Sequence, residues 1–197
     1  MKQLITILFL SILLNIYAQD EANYSIDFGI TASTFSGTNT SINKLGLFGG
    51  VNYTWFSNPL FGGEVGLQFI QKGAFNPPDR DKGDNTFYKL TENYLQLPVS
   101  VLYYNKGITY MLGLAGGYLI SFKEENERGV FPISAPFRKY ELSAIGGVKI
   151  KLTNNILFKS ALNQSLIPVK LYPSGGVRWY NRGHYNTSLI LGINIKF

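Results

Sequence analysis

The sequence predicts an all-β chain, an eight-stranded antiparallel up-and-down transmembrane β-barrel that follows a cleaved signal peptide. Three observations predict it. From Tyr24 onward, apolar residues recur at every second position in eight successive segments, the period of a strand and not of a helix. The opposite parity is mostly Gly, Ser, Thr, Asn and Gln with isolated charges. Charged residues make up only 15% of the chain while aromatics also reach 15%, too little charge to cover an ordinary water-facing exterior.

The chain starts with Lys2 and the apolar run LITILFLSILLNIYA, followed by Gln19 and Asp20. A basic start, a short greasy core and a small residue before a polar stretch describe a secretory signal, with cleavage expected between Ala18 and Gln19. The run is shorter than the ~20 apolar residues of a spanning helix. The division expected is therefore 1–18 as signal and 19–197 as barrel. There is no cysteine, which rules out a lipoprotein anchor and disulfides.

In the first segment Tyr24, Ile26, Phe28, Ile30 and Ala32 share one parity, against Ser25, Asp27, Gly29, Thr31 and Ser33. The second carries Leu45, Leu47, Gly49, Val51, Tyr53 and Trp55; the third sets Phe61, Val65, Leu67 and Phe69 against Glu64, Gly66, Gln68 and Lys72. In YLQLPVSVLYY, Leu95, Leu97, Val99, Val101 and Tyr103 alternate with Gln96, Pro98 and Ser100. The fifth runs from Ile108 to Phe122 and the sixth from Tyr140 to Leu152; the seventh is ILFKSALNQSL and the eighth spans 184–197. Pro98 cannot donate to a ladder, so a bulge is expected there.

FSNP, NKG and TNN read as tight turns, whereas 35–44, 73–92, 124–138 and 168–183 read as long loops. Short turns at one end and long loops at the other are the wiring of an outer-membrane barrel. A soluble lipocalin-like barrel has the same strand count, but its second parity would meet water and carry many charges. The apolar parity is therefore assigned to lipid. It predicts two aromatic girdles on that face: Trp55, Phe61, Tyr103, Tyr110, Phe158 and Phe197 at the turn end, and Phe69, Phe122, Tyr140 and Tyr185 at the loop end. Asp27, Glu64, Glu141, Lys149 and Lys159 fall on the inner parity and are expected to form a structural charge network in the lumen. The last strand, with Leu191, Ile193, Ile195 and terminal Phe197 on its outer parity, resembles the carboxy-terminal signal read by the barrel-assembly machinery.

The stretch YLQLPVSVLYY, the glycine pairs in LFGGVNYTW, LAGGYLISF and AIGGVKIKL, and the closing LGINIKF together resemble the Bacteroidetes-type outer-membrane β-barrel family that includes PorT. The resemblance covers the mature chain. It implies an eight-stranded barrel with outward loops, and through PorT a link to protein secretion; it implies no particular chemistry.

The residues themselves offer little chemistry. His184 is the only histidine, it follows GVRWYNRG with no orienting acid nearby, and it is read as incidental. KEENERG and DRDKGDN are acidic loop stretches; the second is the better calcium candidate, yet neither has the spacing of a known calcium loop, so no metal or cofactor is expected. The net charge of +6 is scattered and forms no basic stripe, which excludes nucleic acid. The expected partners are outer-membrane lipid, the assembly machinery, and an extracellular or secretion-system protein met through the long loops. A non-enzymatic outer-membrane barrel is the leading expectation, a secretion or envelope-assembly factor the alternative, and an outer-membrane enzyme the third.

Overall fold

The computed structural model describes residues 23–36, 44–78, 87–127, 129–130, 137–171 and 183–197. Ala18, Gln19 and DRDKGDN lie outside them. Eight long strands run β1 (Asn23–Phe35), β2 (Lys44–Phe56), β3 (Phe61–Asn76), β4 (Tyr88–Asn105), β5 (Ile108–Asn126), β6 (Tyr140–Lys151), β7 (Ile156–Ser165) and β8 (Asn186–Lys196). Every long strand is antiparallel to both neighbours. The ring is completed where β1 meets β8, from Ser25↔Lys196 to Phe35↔Asn186. A closed antiparallel ring leaves no open edge within the spanning part, as hydrocarbon requires.

The turns are built from the residues that permit them. Asn58 accepts the backbone N–H of Leu60 and of Phe61 at 2.9 Å, holding the β2–β3 turn. Lys106 and Gly107 both have positive φ (43° and 87°), the two-residue turn whose twist matches a hairpin. Thr153 caps the β6–β7 turn by accepting the Ile156 N–H at 3.1 Å.

Apolar side chains of the predicted parity point away from the lumen: Leu45 is 67% exposed and Leu112 72%. Such exposure over a whole exterior fits only a lipid solvent. Rings mark its lower edge, with Phe61 against Tyr103 at 5.1 Å, Tyr103 against Tyr110 at 6.1 Å and Tyr24 against Tyr53 at 5.4 Å. Toward the loops the outer face turns from apolar to amide. Gln71 donates to Asn93 at 3.0 Å, Asn93 to Ser121 at 2.9 Å, and Thr187 to Gln164 at 2.6 Å.

Three expectations need correction. Phe122 is not in the outer girdle: Asn93 pairs with Ser121 but Tyr94 with Leu119, so Ile120 is an extra residue on β5. A one-residue bulge reverses every later side chain, and Phe122 faces inward. Pro98 makes no bulge; the β3–β4 pairing passes from Val65↔Val99 to Gln68↔Gln96 in unchanged register, so the missing N–H interrupts the ladder without shifting it. The segments 73–92 and 124–138 are not loops throughout, because β3 continues to Asn76, β4 starts at Tyr88 and β5 reaches Asn126. Above the lipid the outer face turns polar while Ala74, Leu90 and Phe122 face inward, so apolar-outward alternation no longer announces a strand.

Candidate functional site

Inside the barrel, polar side chains that could not face lipid meet one another. Lys72 on β3 reaches Glu141 on β6 at 2.9 and 3.0 Å and Asn163 on β7 at 2.8 Å. Gln96 adds a bond to Glu141 at 3.0 Å and accepts one from Gln68 at 3.1 Å. Closer to the turns, Lys149 on β6 pairs with Glu64 on β3 at 2.5 Å, and Thr54 donates to the same carboxylate at 3.1 Å. Lys159 on β7 pairs with Asp27 on β1, which also accepts from Asn194. The residues Asp27, Glu64, Glu141, Lys149 and Lys159 thus sit in three separate ion pairs, two of which join non-neighbouring β3 and β6 and span the lumen.

Two members were missing from that set, Lys72 and Glu92. Both are fully buried. Lys72 was on the inner parity of its segment, so its signal was present; Glu92 shares the parity of Gln96 and Pro98 but stands between polar Thr91 and Asn93, in a stretch that reads as a loop. Glu92 accepts from Asn186 at 2.8 Å and from the Tyr94 hydroxyl at 3.3 Å.

Between the pairs lies an apolar layer. Ile70 falls between Glu64 and Lys72 along β3, and Ile145 between Glu141 and Lys149 along β6; with Phe48 and Ile190 they are at most 3% exposed. Phe48 fits because its neighbours lack side chains. A Cβ at Gly192 would come 2.6 Å from the Phe48 ring and one at Gly29 2.8 Å.

The loop end is stopped by rings. Phe122 packs on Phe137 at 4.8 Å, Phe137 on Phe35 at 6.1 Å, and His184 stacks on Phe35 at 4.7 Å with an interplanar angle of 16°. Lys170 lies 4.7 Å over Phe137 and bonds Glu124 at 3.2 Å. From KEENERG, Glu124 therefore faces inward, while Glu125, outside the lipid belt, pairs with Lys123 at 2.6 Å, which holds its carboxyl below the usual range.

His184 sits at the loop end beside Ser36. Its Nδ1 faces the Ser36 carbonyl oxygen, an acceptor, so that nitrogen carries the proton. The Ser36 hydroxyl is itself occupied in accepting the Tyr185 N–H at 2.7 Å. Among the described residues, no three His, Cys, Asp or Glu side chains group as metal ligands.

No family model matches the chain, and no curated protein matches it in sequence. Solved structures do match in fold. The attachment invasion locus protein Ail of Yersinia pestis aligns with 90% of this chain and 99% of its own, at 14% identity and a TM-score of 0.53. Neisserial surface protein A aligns with 90% of this chain and 100% of its own, at 12% identity and a TM-score of 0.51. At such identities the likeness is one of architecture. Together with the apolar exterior and closed ladder, it makes the chain a small outer-membrane β-barrel.

Proposed function

We propose that the protein is a non-catalytic barrel that works through its loop end, where it docks a partner outside the cell or within the membrane. One observation carries this reading: the lumen is spanned by ion pairs and stopped by Phe35, Phe122, Phe137 and His184, while β3, β4 and β5 continue past the outer amide ladder. A filled lumen offers no path for a solute, so the surface left for function is the raised loop end. In this reading the turns face the periplasm, the chain is cleaved between Ala18 and Gln19, and the last strand is read by the assembly machinery through Leu191, Ile193, Ile195 and Phe197.

The finer alternative is an accessory factor in protein secretion or envelope assembly. It is supported by the resemblance of YLQLPVSVLYY and the glycine pairs to the PorT-containing family. Deletion of the gene followed by comparison of secreted proteins separates the two. An altered secretome favours the accessory role. An unchanged secretome, with cross-links from the loop end to a surface protein, favours docking.

A further inference from the structure

At the turn end the barrel opens into a cavity of about 480 Å³ whose wall carries Lys106, Lys151, Lys196, Thr109 and Tyr104. None of its described lining residues is acidic. Glu64, above it in the lumen, is already engaged by Lys149 at 2.5 Å and Thr54 at 3.1 Å.

The backbone that carries these lysines is fixed. The Lys151 N–H donates to Gly107 O at 2.8 Å, and the Lys196 N–H to Asn155 O at 2.8 Å, while Lys106 occupies the left-handed turn position with φ 43°. Three lysines around one cavity repel one another, and no carboxylate side chain stands among the residues of its wall.

We propose that this cavity binds the phosphate group of an anionic ligand. A phosphate group, with several acceptor oxygens and one or two negative charges, matches the three lysines of the wall, whereas a carboxylate offers fewer acceptors and a cation is repelled. The phosphate belongs either to a soluble phosphate ester or to a phospholipid headgroup of the adjoining leaflet. The site lies at the opposite end of the barrel from the loops and stands without the docking reading.

The test uses the mature chain folded in phosphate-free maltoside micelles, with amide signals of Gly107 and Lys151 followed by NMR. Inorganic phosphate is titrated in one arm, chloride at matched ionic strength in a second. In a third arm, nanodiscs of phosphatidylcholine are compared with nanodiscs containing phosphatidylglycerol. The expected result is a saturable shift with inorganic phosphate or with phosphatidylglycerol but not with chloride. The affinity should fall about tenfold or more in K151Q/K196Q and remain in K151R/K196R. Saturation by phosphate alone assigns the soluble source, and saturation by phosphatidylglycerol alone assigns the lipid. Equal shifts with chloride, no shift with either probe, or a folded K151Q/K196Q that titrates like the parent overturns the proposal.

Discussion

Lys72 and Glu141 meet in a place where neither can reach water, both side chains being fully buried. Burying two charges costs more than their attraction returns unless the remaining lone pairs and protons are also bonded, and here Asn163 and Gln96 do that. Glu141→Ala should therefore destabilise the barrel by about 3 to 5 kcal/mol by stranding Lys72, whereas Lys72→Met with Glu141→Leu should cost much less. Urea unfolding of the refolded variants checks this; equal losses in the single and double variants would contradict it. Alternation placed Glu141 indoors, and it did the same for Asp27, Glu64, Lys149 and Lys159. What alternation cannot give is the partner, because which side chains meet across a lumen depends on register and strand tilt. Glu92 was missed for a different reason: its neighbours Thr91 and Asn93 are polar, so nothing apolar marked the opposite face.

The eighth strand and the upper part of β5 are opposite cases among the elements. On β8, parity is clean and decides the outcome of substitution: Ile193→Arg puts a charge into lipid and should cost about 2 to 4 kcal/mol near the bilayer midplane. Asn194→Ser reads as mild from alternation alone, but the Asn194 amide donates to Asp27 at 2.5 Å and to Ser25 at 2.8 Å. Its loss should cost about 1 to 3 kcal/mol, as for a buried charged group deprived of a donor. On β5 the unpaired Ile120 defeats parity, since a bulge leaves no mark in a run that remains apolar on both sides. Inserting one alanine after Ser121 should turn Phe122 and Glu124 outward, leaving the barrel heat-modifiable on gels but its loop end newly sensitive to protease. Unchanged protease resistance would show that the inward side of Phe122 does not set the mouth.

For the whole molecule, strand number and wiring were legible because tight turns and long connections alternate along the chain. Strand length was not, because the lipid that imposes alternation stops at the amide ladder while β3, β4 and β5 go on. Phe197 separates stability from assembly at this scale. It is 73% exposed, and its N–H donates to Tyr24 O at 2.9 Å. Removing it should change refolding in detergent little, yet sharply lower the heat-modifiable barrel recovered from cells; normal assembly would contradict its role as a signal. A protease site at Glu127 should be cut on intact cells and one at Asn154 should not, and the reverse pattern would invert the wiring. The central claim is that this barrel is sealed and acts through its loop end. Planar-bilayer recording of the purified protein, with insertion verified by heat-modifiability, is the decisive measurement: a sealed barrel gives no conductance steps, and stable, reproducible steps from the intact protein would show that it is open.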